Sequence, residues 1–359
     1  MKYNKEIFMG PTKISKDSPV YFIADIAANH DGSLERAKEL IWKAAEAGAD
    51  AAKFQHFAAK TIVSDYGFKD IGTQQSHQKK WKKSVYETYE DAAINTDWNA
   101  ELKKTCDEAK IDFFTSPYSR ELVDSVDDHV LAYKIGSGDI TYIELIEYMA
   151  TKGKPVFLAT GASDIHDVER AMDAILKHTK DVVLMQCNTN YTGSVENFKY
   201  INLNVLNTFK QMYPELVLGL SDHTKGDSSV LGAVALGARV VEKHFTDDND
   251  REGPDHAFSM TPEAWRTMVD RSEEMRLAMG SGTKVVEDNE KETVVLQRRA
   301  IRTTTALPAG HVITADDLIE LRPAPADSFP PYMKEELIGK ELTTAKSSGD
   351  ALYKDDIKA

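Results

Sequence analysis

Eight short apolar runs, each closed by polar residues, constrain the fold of this chain more than any other feature. They are VYFIADIA (20–27), AAKFQ (51–55), DFFTSP (112–117), AYKIGS (132–137), VFLAT (156–160), VVLMQC (182–187), VLGLSD (217–222) and VVEKHF (240–245). Amphipathic stretches lie between them, among them SLERAKELIWKAAEAGA (33–49), DWNAELKKTCDEAK (97–110) and DVERAMDAILKHT (167–179). Runs that are apolar throughout suit parallel strands covered on both faces. Eight such βα units over about 260 residues predict a (β/α)8 barrel of the TIM type. A doubly wound open sheet is the alternative, but no GxGxxG follows the first run.

The remaining segments divide the chain. A polar insertion at 58–96, with KKWKKS and YETYED, separates the second run from the next helix. Loops of that length in a compact domain are usually functional or mobile. The last barrel helix reads TPEAWRTMVDRSEEMRLAMG (261–280), with Pro262 near its start and Gly280 at its end. The expected domains are therefore a barrel at 1–280, a charged linker at 281–297 and a small unit at 298–359. In the small unit, ALPAGHVITADDLIELRP reads as strand, Pro-Ala-Gly turn, strand and short helix.

Charge and cysteine content narrow the partners. The formal net charge is −14, so the long-range field repels nucleic acid and anionic membrane surfaces. A local group of lysines can still hold a small anion, because screening confines the global field. Two cysteines, Cys106 and Cys187, make neither a disulfide framework nor a zinc pattern. The opening residues lack an apolar signal core, and no apolar run approaches the roughly 18–20 residues that span a bilayer. The expected location is cytoplasmic.

In barrels of this type the active site lies at the C-terminal strand ends. There the runs present Asp25; Lys53 and Gln55; Thr115 and Ser116; Lys134, Ser137 and Asp139; Thr160 and Gly161; Gln186, Asn188, Thr189 and Asn190; Ser221, Asp222 and His223; and Glu242, Lys243 and His244. Two lysines, several hydroxyls and the turn Gly136-Ser137-Gly138 suit a phosphate and carboxylate cradle. The plainer reading is that the lysines neutralise Asp25 or Glu242. His223 and His244 end adjacent strands, near enough to share one divalent ion with open positions for water or substrate. His30 is a weaker candidate, and the other histidines read as structural or surface.

DDNDREGPDH (247–256) partly matches a calcium loop, but Ser259 stands where the bidentate Glu belongs. It reads instead as the loop after the eighth strand. Gly253-Pro254 turns the chain back over the barrel mouth and brings Asp255 toward a substrate.

IADIAANHDGS, KFQ, TSPYSR, AYKIGSGD, GLSDHT, EKHFTDDNDREGPDH and ALPAGHVITADDLIELRP together resemble the sialic acid synthase family. That family comprises the phosphoenolpyruvate-dependent N-acetylneuraminate synthases and their legionaminate, pseudaminate and spore-coat relatives. The resemblance runs from about residue 17 to 357, and it identifies the tail with an antifreeze-like (SAF) domain. It implies condensation of phosphoenolpyruvate with an open-chain N-acylated hexosamine, such as N-acetylmannosamine, plus water, giving a nonulosonic acid and phosphate. It implies a divalent cofactor, manganese or magnesium, on His223 and His244. It implies phosphoenolpyruvate contacts at Lys53, Gln55, Lys134, Ser137 and Ser221, a sugar contact at Asp255 and an acid at Asp25. It also implies a domain-swapped homodimer whose Arg322 reaches the N-acyl group. The chain departs from the family pattern at Asp25, where Glu is usual, at Thr115-Ser116, which reverses the usual order, at Ala159, and at CNTNYTG (187–193). These departures bear on the acceptor sugar more than on the reaction.

Two other readings compete with this one. A Schiff-base aldolase on Lys134 is chemically accessible to a desolvated lysine, but it leaves the paired histidines without a task. A non-catalytic sugar- or ice-binding module leaves the polar strand ends unexplained.

Overall fold

The eight apolar runs form a closed ring of parallel strands in the computed structural model, which describes residues 2–71 and 81–358. Two short strands precede the ring, β1 (Glu6–Met9) and β2 (Thr12–Ser15). The barrel strands are β3 (Tyr21–Asp25), β4 (Ala51–His56), β5 (Asp112–Pro117), β6 (Tyr133–Ile135), β7 (Val156–Ala159), β8 (Val182–Cys187), β9 (Val217–Asp222) and β10 (Val240–His244). Each pairs with its sequence neighbour, and β10 closes on β3 with His244 opposite Asp25. The open-sheet alternative is thereby excluded.

Strand geometry then decides what each residue faces, because side chains alternate across the sheet. Tyr21, Ile23, Ala51, Phe114, Phe157, Val183, Met185 and Val240 pack together inside the barrel. Phe22, Ala24, Ala52, Phe54, Phe113, Leu158, Leu184 and Val241 join the larger core beneath the helices. Continuing the inward phase toward the C-terminal ends reaches Asp25, Lys53, Gln55, Ser116, Lys134, Ser221, Glu242 and His244. The apolar residues thus form the base of the barrel, and the polar residues its top.

The helices form where the sequence pattern places them. Ser33 caps Leu34–Glu46 by accepting from the Arg36 N–H. Asp164 and Asp167 form a reciprocal capping box on Ile165–Leu176. Lys110 ends Asn99–Ala109 in the left-handed conformation, with φ 61°. The described parts of the insertion at 58–96, residues 58–71 and 81–96, are more ordered than their polar composition predicts. Ala59–Ile62, Asp65–Ile71 and Val85–Ala92 are helical, the last started by a capping box between Ser84 and Glu87. Residues 72–80 of that insertion lie outside the described residues.

The β1–β2 hairpin was not legible in the pattern. Its Ile7, Met9 and Ile14 belong to the interior cluster and close the N-terminal end of the barrel, while Phe8 points outward. Four-residue strands carry too few apolar positions to stand out from a polar leader.

The chain divides into two compact units, Met1–Gly280 and Ser281–Ala359. In the second, β11 (Ala300–Thr303) pairs antiparallel with β12 (Leu318–Leu321) over a core of Ile301, Leu307, Ile313, Leu318, Leu337, Leu342 and Leu352. The order expected for 306–323 is corrected here. A single 3-10 turn at Ala315–Asp317, capped reciprocally by Thr314 and Asp317, comes before the LIEL strand, and no helix follows LIEL before Pro323. Leu318 is buried in the small core, and the strand pairs along its length with β11. No helix among the described residues is long and apolar enough to cross a membrane.

The hairpin's role gives a direct test. Met9→Ala should lower the stability of the barrel's unfolding transition by about 2–5 kcal/mol in urea, because it opens a cavity in the floor. Phe8→Ala, at a side chain 56% exposed, should change it by less than about 0.5 kcal/mol.

Candidate active site

Two lysines and two carboxylates occupy the barrel axis just above the apolar floor. Lys53 Nζ donates to Asp25 Oδ2 at 2.6 Å, and Gln55 Nε2 donates to the same oxygen at 3.1 Å. The other Asp25 oxygen accepts from the Ala27 N–H at 3.0 Å. Glu242 Oε1 lies 3.4 Å from Lys134 Nζ, 3.8 Å from Lys53 Nζ and 3.1 Å from the Ser221 hydroxyl. All four charged groups are buried, so each depends on the others for neutralisation. Glu242 Oε2 is buried without a hydrogen-bond partner. Glu242 completes this group, yet the sequence reading gave it no functional role. Its two-residue spacing from His244, which puts both on one strand face, was the available signal.

Beside these charges, Ser137 Oγ accepts from the Gly161 N–H at 2.9 Å. A Cβ built at Gly161 would lie 1.9 Å from Thr189 Oγ1, 2.9 Å from Ser137 Oγ and 3.0 Å from Cys187 Sγ. Only glycine leaves room there. The adjoining cavity, about 380 Å3, is lined by Gln55, Tyr118, Ser137, Asp139, His244 and Asp255 among others. Burial pushes the Asp139 carboxyl up to about 6. Burial and then the nearby Asp25 carboxylate raise Asp255, also to about 6. A wider cavity of about 630 Å3, sharing Ala28, Trp81, Thr88, Ala92, Tyr191 and Pro254 with the first, opens beyond it. Trp81, Thr88 and Ala92 come from the insertion.

The imidazoles of His223 and His244 face one another with ring centroids 5.5 Å apart. His223 Nδ1 donates to the Asn188 carbonyl at 3.1 Å, which leaves Nε2 for another partner. Burial lowers the His223 pKa, but the Cys187 thiol and the Asn188 carbonyl outweigh it and raise the ring above its ordinary value. His244 Nδ1 is buried without a hydrogen-bond partner, 4.0 Å from Asp255, and the other ring nitrogen is 3.7 Å from Asp25. Burial, then the charges of His223 and Lys53, hold the His244 pKa well below its ordinary value, so its ring is neutral. Tyr191 packs on His223 at 4.4 Å and Phe258 on His244 at 4.9 Å, walling both rings from solvent. Desolvated imidazoles, each with a ring nitrogen left for another partner, are the donors a divalent ion takes once they are deprotonated. Among the described residues no larger group of His, Cys, Asp or Glu is arranged to hold a metal.

Not every candidate from the sequence joins this cluster. Ser116 follows the inward phase, whereas Thr115 turns outward to bond the Phe54 carbonyl and His56. Thr160 also turns outward, and its hydroxyl donates to the Met185 carbonyl because Ala159 holds the inward position on β7. Asn188 contributes its carbonyl, and the Asn190 side chain accepts from Thr192 and Asn197 to shape its own loop. Thr189, between them, lines the inner cavity instead. Arg322 is exposed in the second unit, directly after β12.

The loop after β10 uses its charge on itself. Arg36 grips Asp247 with two bonds of 2.7 and 3.0 Å. Asp248 accepts from the Asp250 N–H, and Asn249 ties the His256 and Ser259 carbonyls together. His256 is fully buried between Thr246 and Asp31, at 2.7 and 2.9 Å. That leaves Asp255 as the loop's acid on the inner cavity, with Glu252 on the wider one.

Both units of the chain have relatives among known proteins. The sequence profile of the NeuB family matches residues 40–284, and that of the SAF domain matches residues 298–358. The N,N'-diacetyllegionaminic acid synthase of Legionella pneumophila is 32% identical over 94% of this chain and 95% of its own. A pseudaminic acid synthase of Campylobacter jejuni is 30% identical over 95% of this chain and 98% of its own. The crystal structure of an N-acetylneuraminic acid (sialic acid) synthetase from Leptospira borgpetersenii, in complex with citrate, superposes with TM-score 0.71 at 29% identity. It covers 80% of this chain and 95% of that one.

The Arg36–Asp247 clamp predicts a pH signature. Its hydrogen bonds, with the guanidinium charge, hold Asp247 at about 2, below its usual 3.8. A depressed carboxylate stabilises the fold above its unfolded pKa and loses that contribution as pH falls through the folded value. Asp247→Asn should therefore cost about 1 kcal/mol near neutrality, allowing for solvent screening. The gap to wild type, read from urea denaturation at a series of pH values, should narrow from about pH 4 downward.

Proposed function

The chain belongs to the NeuB family, and we propose that it condenses phosphoenolpyruvate with the open-chain form of an N-acylated hexosamine to give a nonulosonic acid and phosphate. The observation that carries this reading is the composition of the barrel top. Two buried lysines, the inward hydroxyls and the Gly161 cradle stand beside two facing imidazoles, over a largely apolar floor. The family relatives are sialic acid-type synthases, named for legionaminic, pseudaminic and neuraminic acids.

Each group then has a task. Lys53 and Lys134 supply positive charge to the phosphate and carboxylate of phosphoenolpyruvate, and Ser116, Ser137 and Ser221 donate hydrogen bonds to their oxygens. This holds C3 of the enol in line with the aldehyde carbon, so catalysis comes from positioning and preorganised charge. His223 and His244 would hold a divalent ion, manganese or magnesium, which when bound supplies Lewis-acid polarisation of the aldehyde. The C3–C1 bond forms, water adds at C2, and the C2–O bond to phosphate breaks as the intermediate collapses. Asp25, fixed by Lys53, Gln55 and the Ala27 N–H, holds the proton that water gives up or orients the water. Asp255 and Asp139, at the cavity wall, take the acceptor's hydroxyls. A homodimer, with Arg322 binding the acceptor's N-acyl group, belongs to the same proposal.

Incubation with phosphoenolpyruvate, manganese and a panel of N-acylated hexosamines should yield a nine-carbon acid by mass, with stoichiometric phosphate. His223→Ala and His244→Ala should each abolish manganese-dependent phosphate release, and full activity in either removes the metal assignment. Borohydride with a keto substrate should trap nothing on Lys134; a covalent adduct would favour the Schiff-base aldolase instead.

A further inference from the structure

On the outer face of the barrel wall, directly behind the two imidazoles, lies a second buried ion pair. Lys243 Nζ donates to Asp222 Oδ2 at 2.5 Å, and both side chains are 1% exposed. The two residues are partners in the β9–β10 register, Asp222 opposite Lys243. Because side chains alternate, they point toward the helices while His223 and His244, the next residue along each chain, point toward the axis. The pair is not isolated. Lys243 Nζ also donates to the Thr224 carbonyl at 2.6 Å. Asp222 Oδ1 accepts from the Thr224 N–H at 3.1 Å, and Oδ2 accepts from the Thr224 hydroxyl at 2.8 Å. The Thr224 hydroxyl proton is thereby committed, so at 2.5 Å it is the Ser229 hydroxyl that donates to Thr224. Residues on both sides of His223, and the one before His244, are thus held by one network of charge and hydrogen bonds.

Strand ends are where backbone hydrogen bonding gives out. β9 ends at Asp222 and β10 at His244, and the register between them stops at Asp222–Lys243. Beyond that point no β9–β10 pairing holds the His223 backbone, while His244 is still paired with Asp25 on β3. The ion pair crosses the gap at its last rung. A merely stabilising core would place apolar side chains there, since burying an ion pair returns little or no net stability. What a charge pair adds is a fixed distance between two backbones.

We propose that Asp222 and Lys243 are positioning residues: they set the separation and orientation of the His223 and His244 imidazoles from behind, and so tune the affinity of the site for a divalent ion. This rests on the reading of the two histidines as the ion's ligands given above.

The test compares Asp222→Asn, Lys243→Met and the double variant with wild type, with manganese alone as the probe. Free manganese is followed by its EPR signal during titration, and thermal unfolding is measured in parallel. Each single variant leaves a buried charge unpaired and should unfold at lower temperature. The double variant removes both charges and should recover most of that loss, while its manganese affinity stays roughly 10–100-fold weaker than wild type, as for other groups that orient metal ligands. Affinity that returns together with stability would overturn the proposal, because a purely structural pair has no other effect. Wild type that binds no manganese would sink the two-histidine reading itself, along with this one. Should the double variant not fold, Thr224→Val removes a single hydroxyl from the same network. Weaker manganese binding at an unchanged circular dichroism spectrum supports the proposal, and unchanged binding overturns it.

Discussion

Four buried charges at the top of the barrel govern everything above them. Lys53, Lys134, Asp25 and Glu242 are each too far from water to stand alone, and an unpaired member would cost several kcal/mol. Their sum is zero without any ligand, which lets the barrel close with a polar interior. The arrangement is nevertheless asymmetric. Asp25 is satisfied on both oxygens, whereas Glu242 keeps one oxygen unpartnered and Lys134 reaches its carboxylate only at 3.4 Å. The loosely held half is where an incoming anion can displace existing contacts at least cost. Under the proposed reading, phosphoenolpyruvate would bring more negative charge than two lysines balance, which would give a cation beside His223 and His244 an electrostatic reason to be there.

How much of this was legible in the sequence depends on which physical signal carried it. The eight strands were legible because each is apolar on both faces, a pattern only a covered parallel sheet accounts for. Once the strands were placed, their period of two should have decided which polar residue faces inward. It selects Ser116 over Thr115 and adds Glu242 to the set. It also removes Thr160, since Ala159 holds the inward place on β7. Short elements were the ones missed. The hairpin before β3 has three buried apolar side chains in ten residues, too few to show against a polar background. In the second unit the short helix expected to close ALPAGHVITADDLIELRP is a one-turn cap at Ala315–Asp317 that leads directly into the LIEL strand.

The loop at 247–256 shows why charge density is a poor guide to ion binding. Asp247 is neutralised by Arg36, Asp248 accepts a hydrogen bond from the Asp250 N–H, and His256 is enclosed by Asp31 and Thr246. These contacts consume the ligand capacity that a calcium reading needs. They also fix a loop that would otherwise swing, and so hold Asp255 against the cavity. Composition indicated acidity, and only the pairing indicates what the acidity does.

The sealed floor has a kinetic consequence. With Ile7, Met9 and Ile14 filling the lower end of the barrel, the cradle around Ser137 and Gly161 is the bottom of a blind shaft. Whatever binds there has to arrive before the cavity above it fills. Under the proposed reading, phosphoenolpyruvate enters first and the sugar second, and the larger acid leaves before the phosphate beneath it can. On that reading the packed interior and the ten-residue hairpin beneath it close the far exit, and the order of traffic is set at the mouth alone.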